Sequence, residues 1–323
     1  MLLKNYMGNQ KNKNNYSNVN FLRLAFEQAK INLGKTSSNP SVGCILVKEN
    51  SVISSGFTAS GGRPHAEYIA LKQKKNFKDS TLYVTMEPCT HHGQTPPCTN
   101  LIRKKGVRKV FYTFNDIDKR TAKKSKKVLL KKKIKIKQIK LNNFKDFYTS
   151  YYNLHKNIPP LIDAKIAISN DFYTIRKNTK WITNTLSRKR AHLIRSQYNC
   201  IISTSKSINR DNSLLNCRIK GLDNNKPDLI IIDLNLRLKR NLKLFELKLK
   251  RNIFLVTKQQ NKRKINFFKK KGIKIIYLES LDKKSDFKYL FMKLKSKNYN
   301  RILVESGLTF LKSIINYKLL NNL

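Results

Sequence analysis

From residue 19 onward, apolar positions along the chain follow two alternating rhythms. "VNFLRLAFEQAKINLG" repeats its apolar side chains at helical spacing, which predicts a helix over 19–34 ending on Gly34. "VGCILV" (42–47) and "VISSGF" (52–57) predict two strands joined by a short turn at Glu49–Asn50. A helix at 65–73, a buried strand at 81–85, a helix at 96–106 and a strand at 109–114 follow. A helix at 121–132 and a strand at 134–139 complete this series. "FKDFYTSYYNLHKNIPP" (144–160) predicts a connecting helix and a Pro-Pro break. A second series has strands at 161–168, 199–204, 228–233, 252–256, 273–278 and 301–305. Its helices fall at 184–197, 261–271, 286–296 and 308–318. Strands alternating with helices predict α/β layers. The domains expected are 18–143 and 161–323, joined by a linker at 144–160, with a polar, disordered segment at 1–17. No internal repeat relates the halves.

Composition refines this picture. A chain of 323 residues suffices for two domains. No run approaches the roughly 18 apolar residues that a membrane helix needs. The start, "MLLKNYMGNQKNKNNYSN", lacks the pattern of a signal peptide. These features give the expectation of a cytoplasmic protein with no membrane partner. Five cysteines without disulfide-type spacing suggest metal or catalysis before a disulfide. The formal net charge is +49, a balance that usually points to nucleic acid. Here, however, the lysines run along the whole chain among asparagines, on strands and helices alike. That pattern reads as a compositionally basic, solvated surface, and no specific nucleic acid is expected. The same field would favour a phosphorylated small substrate.

The chemistry concentrates in residues 64–100, which hold three of the five histidines and two of the five cysteines. Pro64 sets His65 at a helix start, with Glu67 in the same first turn. Cys89 follows the strand at 81–85, and Cys98 opens the next helix, so all three metal-binding types could project from helix starts. Three ligands (His65, Cys89 and Cys98) leave a fourth tetrahedral position open, the catalytic form of a zinc site. Zinc would lower the pKa of water from 15.7 to about 7, and Glu67 is placed to move its proton. Nucleobase deaminases combine a His-x-Glu with a Pro-Cys-x-x-Cys in this way. A closed structural site with His91 or His92 as fourth ligand is the alternative, and it leaves Glu67 without a role.

"SNPSVGCILV", "GGRPHAEYIAL" and "YVTMEPCTHHGQTPPC" resemble the deaminase half of the bifunctional riboflavin-biosynthesis deaminase/reductase, the RibD type. Eight residues separate Cys89 from Cys98, where cytidine and tRNA deaminases have two. The resemblance implies a cytidine-deaminase-like three-layer sandwich, Zn2+ on His65, Cys89 and Cys98, and Glu67 as proton shuttle. It also implies Asn39, His91 and His92 around the pyrimidine. The implied substrate is 2,5-diamino-6-ribosylamino-4(3H)-pyrimidinone 5′-phosphate, which loses its 2-amino group.

In the second half, "AKIAISND", "KWIT", "HLIRSQYNCIISTSKSINRDNSLLNCR", "LIIID" and "ILVESGLTF" are similar to the family's reductase half. This implies a dihydrofolate-reductase-like α/β domain using NADPH. Thr179, Arg195, Leu215, Arg218 and Glu305 would contact the substrate. Trp181, Ser207, Asp211 and the turn from Gly307 would contact NADPH. Read from its residue type alone, Trp181 is expected in the core, with covering a flat ring as the alternative. Three turns depart from the family pattern. Asn170-Asp171-Phe172 stands for Leu-Asp-Gly, Asp211-Asn212-Ser213 for Asp-Asp-Pro, and Gly307-Leu308-Thr309 for Gly-Pro-Thr. The chain stops at "KLLNNL", where the resemblance implies further closing strands. A truncated sheet of this kind would expose an edge or pair it with another chain in a homo-oligomer. Together these departures give the expectation of slow or absent reduction. Two other readings remain open: a deaminase acting on nucleosides or nucleic acid, and a non-catalytic zinc-binding module.

Overall fold

The computed structural model describes residues 17–174, 181–222, 226–246 and 251–323, and the chain divides into two units, 1–155 and 156–323. Most of the amino-terminal segment expected to be disordered lies outside the described residues, as does Thr179. No helix among the described residues is long and apolar enough to cross a membrane.

The first unit is a five-stranded sheet. Its strands are β1 (Gly43–Lys48), β2 (Ser51–Phe57), β3 (Thr81–Met86), β4 (Lys109–Phe114) and β5 (Lys135–Gln138), in spatial order β2-β1-β3-β4-β5. β1 runs antiparallel to β2 and β3, while β3, β4 and β5 are parallel. Strand alternation sorts the side chains into two layers. Ile45, Val47, Tyr83 and Phe111 pack with Leu22 and Ala25 of helix α1 (17–30). Cys44, Leu46, Leu82, Val84 and Val110 pack on the other face with Ala66, Ala70 and Leu71 of α2 (Ala66–Lys72). Ile102 of α3 (Cys98–Lys104) and Leu129 of α4 (Ser125–Leu130) join that face. Gly43 lets α1 approach closely, since a Cβ there would stand 1.8 Å from the Ala25 carbonyl oxygen. The segment expected to connect the halves supplies buried Tyr148 and Tyr151 to this core, Tyr151 from α5 (Thr149–His155).

The second unit is a six-stranded parallel sheet in the order β10-β9-β8-β7-β11-β6. The strands are β6 (Leu161–Ala164), β7 (Cys200–Thr204), β8 (Asp228–Ile232), β9 (Ile253–Thr257), β10 (Lys274–Tyr277) and β11 (Arg301–Val304). Near-continuous apolar strands such as "CIIST" and "DLIII" suit a parallel sheet covered on both faces. One face carries α10 (Lys284–Lys295) and α11 (Leu308–Asn316); the other carries α7 (Ser205–Asp211) and α9 (Lys262–Lys270). Two helices escape the sequence pattern, α7 and the four-residue α8 (Lys243–Glu246), because both are too short to show a helical period. The predicted helix at 121–132 shortens to α4, its first residues forming turns. The free side of β6 is met by residues near the carboxyl end. Ala164 N–H donates to the Asn322 carbonyl (2.9 Å) and Asn321 N–H to the Ile162 carbonyl (2.7 Å).

Candidate functional site

The loops at the carboxyl ends of β3 and β4 and the start of α2 meet in the first unit. His65 is the residue before α2 and Cys98 is the first residue of α3. Cys89 differs from the expectation of a helix start, because it sits in the loop after β3. It still gains from a helix end, since the Cys98 N–H at the start of α3 donates to its sulfur (3.2 Å). His65 Nδ1 lies 3.7 Å from Cys89 Sγ and 3.5 Å from Cys98 Sγ, and the three donor atoms all fall within 4.8 Å of one another. Hydrogen bonding from Cys98, and then from His65, draws the Cys89 thiol down to about 4. Cys98, which donates to Cys89 and is buried, is pushed up. One imidazole nitrogen and two sulfurs, one of them already a thiolate, form a donor set that fits zinc.

Glu67 is buried in the first turn of α2, and burial pushes its carboxyl up to about 7. It lines a cleft open to solvent with His65 and Cys89. Asn39 and His91 also line this cleft, whereas His92 is exposed on the loop and is absent from the lining. Asn39 Nδ2 donates to the Gly62 carbonyl (3.2 Å). Gly62 has φ +92°, and a Cβ on it would stand 2.5 Å from Asn39 Nδ2, so the close seat of Asn39 requires glycine. His91 Nδ1 pairs with Thr121 Oγ1 at 2.9 Å.

Sequence reasoning overlooked several residues of this cleft. Arg63 donates to Thr95 Oγ1 (2.8 Å) and stands 3.3 Å from His65 Nε2. Asp116 accepts from the Tyr151 hydroxyl (2.8 Å), and Asp118 pairs with Arg120 (2.5 Å). One signal was available: Asp116 and Asp118 are two of only 19 acidic residues in the chain.

The second unit gathers a different set. Arg195 at the end of α6 (Thr185–Arg195) makes a two-pronged bond to buried Glu305, Nε to Oε1 at 2.5 Å and Nη2 to Oε2 at 2.8 Å. Lys165 Nζ reaches the same carboxylate at 3.3 Å. Burial pushes the Glu305 carboxyl up, but the hydrogen bonds and charge of Arg195, with Lys165, outweigh it and hold the group below its ordinary range. Arg195 Nη1 also donates to the Asn216 carbonyl (3.3 Å), and Arg218 Nη1 donates to Asn216 Oδ1 (2.5 Å). Lys165 and Asn216 carried no sequence signal. Leu215 is buried in the core with φ +47°, and its carbonyl accepts from Arg251 (2.7 Å).

Ser207 Oγ accepts from the Gly307 N–H (3.0 Å), joining α7 to the start of α11. The first N–H groups of a helix such as α11 lack partners within the helix and can face a phosphate. Asp211 ends α7 and pairs with Arg210 (2.8 Å) on the surface. Trp181 is not core: its ring is 57% exposed, with the Arg188 guanidinium 4.6 Å from its centre. Phe172 holds φ +63° and Asn212 φ +43°, and Gly307 with Leu308 still opens α11.

Known proteins agree with both halves. The cytidine and deoxycytidylate deaminase zinc-binding region matches residues 16–114, and the RibD C-terminal domain matches residues 160–323. This chain belongs to the RibD family. It is 32% identical to the riboflavin biosynthesis protein RibD of Aquifex aeolicus, covering 92% of this chain and 82% of that one. The RibD of Buchnera aphidicola is 31% identical over 94% of this chain and 84% of its own. The structure of Acinetobacter baumannii RibD superposes with a TM-score of 0.73 at 25% identity, covering 94% of this chain and 84% of that chain. The chain is therefore an enzyme of riboflavin biosynthesis, with a zinc-dependent deaminase domain and an NADPH-dependent reductase domain.

Proposed function

We propose that the first unit hydrolyses the 2-amino group of 2,5-diamino-6-ribosylamino-4(3H)-pyrimidinone 5′-phosphate. The observation that carries this reading is Glu67 buried in one cleft beside His65 and Cys89, with Asn39 and His91 on the walls. His65, Cys89 and Cys98 would hold zinc. Zinc, when bound, supplies Lewis acidity that makes water a nucleophile near neutral pH. Glu67 takes a proton from the attacking water at its carboxylate and returns it to the departing nitrogen. A C–O bond forms at C2, the C–N bond breaks, and ammonia leaves. A proton held near pH 7 suits both transfers. Asn39 offers an amide, and His91, steadied by Thr121, offers its remaining ring nitrogen to the pyrimidine.

The second unit then reduces the ribosyl side chain of the deaminated product to ribityl, with NADPH supplying the hydride. Ser207 and the Gly307 turn would hold the cofactor's phosphates, and the exposed Trp181 ring would offer a further contact. The Arg195 fork is already engaged by Glu305, so the substrate phosphate falls to Arg218, which keeps N–H groups to spare. Lys165 and Glu305 supply a cation and an acceptor for the sugar hydroxyls.

Ammonia release from the diaminopyrimidine phosphate by zinc-loaded protein tests the first activity, with RNA and free cytidine run beside it. Release from cytidine or RNA alone would move the substrate class. Loss of NADPH absorbance on adding the deaminated product tests the second activity. Steady deamination with no NADPH loss leaves a deaminase alone.

A further inference from the structure

We propose that Glu87 is a positioning residue that fixes the wall of the deaminase cleft formed by residues 116–125; the proposal rests on the deaminase reading above. Glu87 ends the run out of β3 and lies two residues before Cys89, and it is only 3% exposed. Its two oxygens accept four hydrogen bonds. Oε1 takes the Ser125 N–H (3.1 Å) and hydroxyl (2.8 Å), and Oε2 takes the N–H groups of Lys123 (2.9 Å) and Asp116 (3.3 Å). Every donor belongs to the segment between β4 and the start of α4. Among the described residues no lysine or arginine side chain forms an ion pair with Glu87. A buried carboxylate in that position is sustained by its donors.

The segment it holds carries cleft-lining Asp116, Asp118 and Arg120. It also carries Thr121, which pairs with His91, and whose hydroxyl takes the Thr90 N–H (3.4 Å). Left to itself this stretch has reason to open. Lys123 sits at φ +59°, a conformation non-glycine residues rarely adopt. The Glu87 carboxylate binds the Lys123 N–H at this position. Because Glu87 lies only two residues before Cys89 in the loop after β3, the wall is tied closely to the sulfur donors.

Zinc-loaded full-length protein carrying Glu87→Gln tests this. An amide keeps the volume but presents an N–H₂ where an acceptor is needed. The expected result is one zinc per chain and amide exchange at Lys123 and Ser125 faster by about ten-fold or more. KM rises on the order of ten-fold, equivalent to about 1.4 kcal/mol of lost binding, while kcat stays within about three-fold. Ser125→Ala, which removes one donor of four, should move KM the same way by less and add little on top of Glu87→Gln. Glu87→Asp should restore part of the affinity. Unchanged KM and exchange would overturn the proposal, as would lost zinc and kcat at constant KM, because Glu87 would then serve Cys89 and not the wall. If Glu87→Gln fails to fold, Ser125→Ala decides through the same KM and exchange readouts. An unmodified protein that releases no ammonia defeats the deaminase reading, while the exchange result separately decides whether Glu87 holds the segment.

Discussion

The two units assemble their chemistry over very different lengths of chain. In the first, His65 meets Cys89 and Cys98 across separations of 24 and 33 residues, and Glu67 shares a helical turn with His65. In the second, Arg195 and Glu305 are 110 residues apart, Lys165 and Glu305 140, and Ser207 and Gly307 100. The donor types also differ. Cysteine and histidine are scarce here and convergent, whereas arginine, lysine and serine occur throughout the chain. A site built from rare residues at short range announces itself in the sequence. A site built from common residues at long range exists only after the parallel sheet has brought β6, β7 and β11 side by side. The first unit thus gathers its candidate chemistry in one metal-binding constellation, and the second in an ion-pair network.

The sharpest way to break the comparison is through the metal. Cys98→Ser should drop bound zinc well below one per chain and abolish ammonia release, while His91→Ala keeps the zinc; metal analysis of both variants checks this. A full zinc complement in Cys98→Ser would sink the assignment, and zinc lost in His91→Ala would favour a closed four-ligand site. Glu67→Gln should retain the zinc and lower kcat by about 10²–10⁴-fold, the usual contribution of a placed acid–base group. Near-native turnover in that variant would remove Glu67 from the mechanism.

In the second unit the corresponding break is electrostatic. Arg195→Ala leaves Glu305 buried beside Lys165 alone, and should cost about 3–5 kcal/mol in denaturant unfolding. A loss under 1 kcal/mol would show that the pair is dispensable to the fold. Acid sharpens the same point. The folded-state pKa of Glu305 lies below the ordinary 4.5. Its contribution is therefore complete above about pH 4.5 and fades as pH falls through the folded value. Glu305→Gln should flatten that part of the stability curve between pH 5 and the acid limit, as measured by urea midpoints at stepped pH. The smallest effect belongs to the turn at Phe172. A bulky residue at φ +63° carries strain, so Phe172→Gly should raise stability by about 0.5–1 kcal/mol, read as a small increase in the unfolding midpoint.

The reading of particular residues follows the same division. His65, Cys89 and Cys98 were legible as a candidate cluster because metal chemistry restricts both residue type and spacing; the structure brings their donor atoms together, and Glu67 lines the same cleft. Glu87 was not legible, since nothing in "MEPC" distinguishes a carboxylate aimed at a metal from one that gathers the N–H groups of a loop 29–38 residues later. Trp181 reads as core from its residue type, and the fold overturns that by exposing it beside Arg188. Among the matched reductase positions, Arg195 with Glu305 and Ser207 with Gly307 come into contact, while Asp211 faces the surface and Leu215 the core.

By itself the sequence determined the alternation of strands and helices, the existence of two α/β units and the His65, Glu67, Cys89 and Cys98 set as candidates for zinc chemistry. It could do so because hydrophobic period and ligand spacing are local properties of a chain. Tertiary structure alone decided which histidine faces the cleft and which faces solvent. It alone decided that Glu87 gathers the N–H groups of the segment after β4, that Glu305 binds Arg195 and Lys165 at once, and that Asn321 and Asn322 meet the free side of β6. The physical reason is that these contacts link common polar groups across long separations, and only strand order and register determine which of many equivalent partners become neighbours.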